Sequence, residues 1–350
     1  MRHVVTFTAP RTVTVETGPL PEPTADQVRV RTTRSGISPG TERLVYRGEA
    51  PDQLAADAAL EALGGGLAFP LSYGYCAVGV VDAVGDTVDP AWKGRRVFAF
   101  QPHASAFVAA PDELIPLPDA VSDDDAVFLP NMETAVNLVM DARPLVGETA
   151  VVIGQGIVGL LATALLARFP LGALYTTDLH PMRREWSERL GATRSFDPSA
   201  DADALPDALG ITHPDATDAG QEEAYEGADV VLEVSGAPQV LNDAVACAGF
   251  DSRIVVGSWY GTKQAPVDLG GRFHRARIDI VSSQVSTVAP ALRGRWSKAR
   301  RMDTVLDLLP DLAPHRLITD RAPVTDAPAL YRRLDTAPNA VLQPVFTYAV

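Results

Sequence analysis

Residues Thr149-Ala150-Val151-Val152-Ile153 run into Gly154-Gln155-Gly156-Ile157-Val158-Gly159 and then into an apolar stretch that ends near Arg168. A β-branched run, a GxGxxG turn and a helix, in that order, leave few folds open. The first glycine suits a tight turn, the second lets backbone approach a pyrophosphate, and the third permits close helix packing. The N–H groups at the helix start then face the anion. Gly154, Gln155, Gly156, Ile157, Val158 and Gly159 are therefore the expected dinucleotide cradle. Asp178 closes the next predicted strand, about 20 residues further on, the interval at which an acidic residue meets a ribose. A carboxylate there accepts bonds from ribose hydroxyls and repels a 2′-phosphate, which favours NAD. Arg183 and Arg184 follow closely enough that NADP use stays open.

The rest of the chain fits an α/β reading. Predicted strands Ala150–Ile153, Leu174–Thr177, Val230–Val234 and Arg253–Val256 alternate with helices Ile157–Arg168, Met182–Leu190 and Pro238–Cys247. That order implies a doubly wound parallel sheet. Residues 1 to about 120 read instead as short strands punctuated by Gly, Pro and Asp. An Ala/Leu-rich helix is expected over Pro51–Leu63, stopped by Gly64-Gly65-Gly66. From Asp197 to Glu226 there are nine acids and no Lys or Arg, which reads as a solvated surface excursion, with an acidic docking segment as the alternative. Ligands bind at the carboxyl ends of parallel strands. Ser235-Gly236 and Gly257-Ser258-Trp259-Tyr260 end such strands, so Ser235, Gly236, Ser258 and Trp259 are expected at the cofactor and Tyr260 at the substrate. The basic cluster Arg272-Phe273-His274-Arg275-Ala276-Arg277 has two readings, a substrate grip through His274 and Arg275 or a solvated turn.

Charge narrows the function classes. The formal net charge is −14, and only three of the 30 basic residues are lysine. A polyanion such as nucleic acid is repelled by such a surface. An Asp-rich, Lys-poor surface suits either a salt-rich cytoplasm or a GC-rich genome. No apolar run approaches the roughly 20 residues of a membrane span, and the N-terminus has no signal-peptide pattern. A cytoplasmic protein with a small-molecule substrate is expected. Cys76 and Cys247 form no CxxC pair, and the six histidines show no paired ligand spacing.

Three segments give a resemblance over essentially the whole length: Gly36-Ile37-Ser38, Gly74-Tyr75-Cys76-Ala77-Val78-Gly79-Val80-Val81 with Gly85, and the dinucleotide unit. In order and spacing the chain resembles the medium-chain dehydrogenase/reductase superfamily, the relatives of zinc alcohol dehydrogenase. The resemblance implies a GroES-like catalytic domain over residues 1–131 and 286–350 and a Rossmann domain over 132–285. It also implies that Thr134, Ser283 and Gln284 lie near the nicotinamide. Pairing through edge strand Ile278–Val281 is implied too, giving a homodimer or a higher homo-oligomer. Ser35–Glu42 and Gly257–Gly261 are most similar to the group that oxidises a hydroxyethyl substituent on bacteriochlorophyllide, although no substrate follows from such short segments.

The departures from the family pattern set the chemistry. Ser38 and Tyr75 stand where zinc-dependent members place a cysteine and a histidine, and the third ligand position falls near Pro130. The four-cysteine structural lobe is missing as well. No catalytic zinc is expected from such a set. Side chains must then move the proton that accompanies hydride. Tyr75 is the first candidate, acting more readily as an acid than as a base, and His103, which the resemblance puts at the cleft, is the second. Ser38 and Glu42 complete the expected catalytic group, although a helix-cap role for Ser38 and a first-turn role for Glu42 stand beside it. The leading expectation is a zinc-independent, NAD-preferring oxidoreductase that interconverts a hydroxyl and a carbonyl. Reduction of an activated C=C bond, and a non-catalytic dinucleotide-binding protein, are the alternatives.

Overall fold

The structure is a computed structural model describing residues 1–50, 66–211 and 226–349. The expected helix over Pro51–Leu63 and much of the acidic excursion lie outside the described residues. Contacts divide the chain into two compact units, Met1–Pro130 with Met302–Val350, and Asn131–Arg301. The second crossing thus falls after Arg301 rather than at 285/286. Arg301 donates to the carbonyls of Val285 and Thr287, which ties the intervening residues to the second unit.

In the first unit the strands are β1 (Arg2–Ala9), β2 (Thr12–Gly18), β3 (Val28–Gly36), β4 (Leu71–Ser72), β5 (Ala77–Val84), β6 (Arg96–Ala99), β7 (Ala106–Ala109) and β8 (Ile115–Pro116). The second unit holds β9 (Thr149–Ile153), β10 (Ala173–Thr177), β11 (Arg194–Phe196), β12 (Ala228–Glu233), β13 (Ala248–Val256) and β14 (Asp279–Ser282). The chain returns to the first unit with β15 (Ile318–Pro323) and β16 (Gln343–Thr347). Short β-branched strands close the first unit into a GroES-like arrangement. One sheet has the order β2-β1-β4, and a seven-stranded one runs β15-β16-β3-β5-β6-β8 with β7 paired to β3. Val28, Val30, Ala77, Val81 and Val97 alternate inward to fill its core. Helix α1 (Thr41–Arg47) starts at Gly40, two residues later than a cap at Ser38 would put it. The aspartates after Ser122 form only a short α2 (Asp123–Ala126), and the apolar helix that follows is a separate α3 (Leu129–Ala142).

The second unit is a six-stranded parallel sheet, order β11-β10-β9-β12-β13-β14. Strand order reverses between β9 and β12, the arrangement that opens a dinucleotide crevice at the carboxyl ends. Helices α4 (Ile157–Leu166), α5 (Pro181–Arg189), α6 (Ala204–Ala208), α7 (Leu241–Cys247) and α8 (Arg272–Arg275) connect the strands. All but one residue of α4 are buried, as a helix apolar on every side requires. Among the described residues β11 and β14 are the two edge strands of the sheet. The helices α9 (Lys298–Leu312) and α10 (Ala327–Thr336) follow. Among the described residues no helix is long and apolar enough to cross a membrane.

Candidate active site and dinucleotide cradle

The glycine turn is built as its sequence requires. Gly154 has φ +95°, and a Cβ there would fall 2.6 Å from Ser235 Cα, so the turns after β9 and β12 touch backbone to backbone. A Cβ on Gly159 would fall 2.0 Å from the carbonyl oxygen of Gly154, which packs the start of α4 on the turn. Around Gly156 there is open space instead, as backbone approach by a ligand needs. Gln155 turns inward. Its amide donates to the carbonyls of Val152 and Gly154 and accepts from Thr163 Oγ1 at 3.0 Å. It is part of the turn and holds no ligand through its side chain.

Asp178 lies beside the turn and is buried. Its Oδ2 accepts the Gln155 N–H at 2.8 Å and its Oδ1 accepts the His180 N–H at 2.8 Å. Each oxygen keeps a further lone pair for a ribose hydroxyl. Arg183 Nη1 stands 3.7 Å from Asp178 Oδ2, and Arg184 is occupied by the Asp178 carbonyl and by Asp197.

At the carboxyl ends of β12 and β13 the organising group is Glu233, which the sequence reading did not single out. Its Oε1 accepts Ser235 N–H at 2.8 Å and Ser235 Oγ at 2.5 Å, and its Oε2 accepts the Tyr260 hydroxyl at 2.5 Å. Burial, then the bond to Glu233, push the Tyr260 phenol far above its ordinary range. Ser258 Oγ accepts the Gly236 N–H at 2.8 Å, and Trp259 stays 39% exposed. Tyr260 thus braces the strand ends instead of standing free for substrate. On α3, Thr134 is half-buried. Ser283 Oγ donates to Asp141 at 2.8 Å, whereas exposed Gln284 accepts the N–H of Ser286. His274 and Arg275 are placed at the wrong end for substrate. They precede β14, and neighbouring Arg272 donates to the carbonyl of Ala248 at the start of β13. The basic cluster therefore edges the amino ends of the strands, opposite the cradle.

In the first unit Ser38, Glu42 and His103 come together in one buried network. Glu42 is fully buried, and its carboxylate accepts the Ser38 N–H at 2.8 Å, the Tyr331 hydroxyl, and His103 Nε2 at 3.0 Å. His103 Nδ1 meets Ser35 Oγ at 2.8 Å, and Ser35 in turn meets the Tyr348 hydroxyl at 2.7 Å. With Nε2 protonated, His103 donates to Glu42 and accepts from Ser35, which satisfies every member. Having no exposed surface and a partner at each nitrogen, His103 is placed to support its neighbours rather than to reach a ligand. Ser35, Tyr331 and Tyr348 belong to the network and were not foreseen.

Tyr75 sits between β4 and β5, partly buried, with its ring edge-on to Tyr73 at 6.2 Å between centroids. Its phenol is hydrogen-bonded to Ser38 and Thr41; burial foremost, with the charge of Glu42 adding to it, pushes its pKa up to about 12. The phenol is thus held in its protonated, donating form. Among the described residues no group of three or more His, Cys, Asp or Glu could hold a metal ion. Ser38 and Tyr75 offer hydroxyls already bonded to one another, and Pro130 offers no donor atom. Cys76 gives its thiol to the carbonyl of Val127 at 3.0 Å, and both nitrogens of His103 are taken.

A doubly wound sheet with a glycine turn at its switch point, joined in one chain to a GroES-like unit, defines a dinucleotide-binding type of fold. Residues 158–302 match the zinc-binding dehydrogenase family. Sorbitol dehydrogenase of Bacillus subtilis is 23% identical over 74% of this chain and 75% of its own length. Further curated dehydrogenases align over shorter stretches, an L-threonine 3-dehydrogenase of Alteromonas mediterranea over 33% of its length. Among solved structures, a short chain alcohol dehydrogenase of E. coli CFT073 complexed with NADH superposes with a TM-score of 0.77 at 19% identity, covering 99% of both chains. A putative zinc-binding dehydrogenase of Sinorhizobium meliloti bound to NADP gives 0.77 at 17% identity, again over 99% of both. The chain is an oxidoreductase whose residues 158–302 match the zinc-binding dehydrogenase family and whose fold is that of the alcohol dehydrogenase-like structures.

Proposed function

We propose that the protein is a zinc-independent, NAD(H)-preferring oxidoreductase that interconverts a hydroxyl and a carbonyl on an organic substrate, with Tyr75 as the proton donor in reduction. The observation carrying this reading is the phenol of Tyr75, hydrogen-bonded to Ser38 and Thr41 and kept protonated by burial, where zinc-dependent relatives place metal ligands. A bound nicotinamide dinucleotide supplies or accepts the hydride. In the reducing direction the substrate oxygen gains negative charge as hydride reaches its carbon, and Tyr75 O–H donates the matching proton to that oxygen. Ser38 and Thr41 hold the phenol oxygen in place. Glu42 and His103 hold Ser38 and the backbone before Tyr75. This set belongs to a zinc-ligand-lacking branch of the family, such as the one that includes the bacteriochlorophyllide dehydrogenases.

Cofactor preference rests on Asp178. Its free lone pairs suit two ribose hydroxyls, and its charge opposes a 2′-phosphate, although Arg183 at 3.7 Å offsets part of that repulsion. NADH should therefore bind more tightly than NADPH, and Asp178→Ser should narrow or reverse the ratio. Equal or tighter NADPH binding by the parent protein would refute the assignment. Hydroxyl oxidation, carbonyl reduction and C=C reduction belong in the same substrate screen. Turnover confined to activated C=C substrates with NADPH would favour the quinone and enoyl reductase reading instead.

A further inference from the structure

Arg301 has no exposed surface, yet it carries a permanent charge and five N–H donors. Every donor has an acceptor. Nε and Nη2 donate to Glu133 Oε1 at 3.1 and 2.8 Å, and Nη1 donates to Asn137 Oδ1 at 2.5 Å. The two remaining hydrogens reach backbone: Nη1 donates to the Thr287 carbonyl at 3.2 Å, and Nη2 to the Val285 carbonyl. Glu133 and Asn137 are four residues apart on α3 and present one face of that helix. From the same face Asn137 Nδ2 donates to Ser283 Oγ at 2.9 Å and to Asp141 Oδ2 at 3.0 Å. The segment Ser283–Thr287 is thus fastened to α3 at both of its ends, by Arg301 at one and by Asn137 with Asp141 at the other.

The place of this segment in the sheet gives the clamp a function. Ser283 immediately follows β14, and its N–H donates to the carbonyl of Val256 at the carboxyl end of β13. In a sheet of this order one mononucleotide lies over β9 and β10, where the glycine turn and Asp178 are. The other lies over the carboxyl ends of the strands beyond the switch point, β12 to β14. A backbone segment at those ends holds its shape only as firmly as whatever fastens it.

We propose that Arg301 is a positioning residue that fixes Ser283–Thr287 to receive the nicotinamide half of the dinucleotide, leaving the adenosine half to Asp178 and the glycine turn. The inference rests on the dinucleotide reading above. Arg301→Lys keeps a cation for Glu133 but cannot reach both carbonyls and Asn137 together, because a lysine has three donors and no planar fork.

The test is calorimetric titration of the full-length protein with NADH and, separately, with ADP-ribose, which lacks the nicotinamide. Arg301→Lys should weaken NADH about tenfold or more, the loss expected when bonds from a charged donor are broken, and should leave ADP-ribose within about twofold. A collapse of the unit would weaken both alike. Should Arg301→Lys not fold, Ser283→Ala decides, since it removes only the hydroxyl tied to Asn137 and Asp141; about threefold weaker NADH with unchanged ADP-ribose is expected. Equal loss for both ligands, or loss for neither, overturns the proposal while the dinucleotide reading stands. If the parent protein binds no ADP-ribose, the dinucleotide reading falls and the proposal with it.

Discussion

Gly74→Ala should destabilise the first unit through the buried histidine beside Tyr75. Gly74 has φ +111°, a conformation that costs an alanine about 1–3 kcal/mol. The new Cβ would also fall 2.6 Å from both Cδ2 and Nε2 of His103. To restore ordinary contact the ring must retreat by about 1 Å, which is more than the 3.0 Å bond to Glu42 can stretch and remain a hydrogen bond. His103 and Glu42 are both without exposed surface, so no water replaces the lost partner. Stranding one such group costs about 1–3 kcal/mol more. The sum, about 2–6 kcal/mol, corresponds to a Tm lower by about 4–24 °C at the 2–4 °C per kcal/mol typical of units this size. Scanning calorimetry reads it directly. Gly40→Ala is the control, because Gly40 has an ordinary φ of −76° and a Cβ there meets nothing within 4 Å. If Gly74→Ala melts within about 2 °C of the parent, the packing of His103 across Gly74 is not what fixes the turn before Tyr75.

Burial pushes the Cys76 and Cys247 thiols from 9.0 up to about 12, and the Tyr75 phenol from 10.0 up to about 12. The unfolded chain therefore sheds these protons first, and stability should fall as pH rises from about 9 toward 12 while these groups leave it flat below 9; urea midpoints that are equal or higher at about pH 10.5 than at pH 8 would contradict this. Assembly gives a further expectation. Strand β14 leaves an unpaired edge on the parallel sheet, and we propose that a second copy covers it by extending the sheet across a twofold axis. Light scattering at micromolar concentration should show at least a dimer, and a single 37.2 kDa species would refute the pairing.

What the sequence disclosed depended on how local each feature was. The cradle was legible because its turn, its helix and Asp178 follow one another within a single β-α-β unit, so spacing alone locates them. Ser38 and Tyr75 were legible as replacements at known positions, but their mutual hydrogen bond was not. The Glu42 network was out of reach because its carboxylate is satisfied by residues 61 and 289 positions away. Nothing in Arg300-Arg301 says which arginine is buried, and only the helix phase relative to α3 makes Arg301 the clamp and leaves Arg300 exposed. His274 and Arg275 precede β14, so chain direction alone puts them at the amino end of that strand, where the solvated-turn reading of the cluster fits better than a substrate grip.

The most direct test of the central claim is turnover of chelator-treated parent protein beside Tyr75→Phe, both at saturating NADH and with a carbonyl substrate found by screening. Phenylalanine keeps the ring packed against Tyr73 and removes only the hydroxyl. The account predicts that chelation leaves parent turnover intact, and that Tyr75→Phe keeps its NADH affinity while turnover falls by about 10²- to 10⁴-fold. Activity that chelator abolishes and zinc restores, or near-parent turnover in Tyr75→Phe, would contradict it.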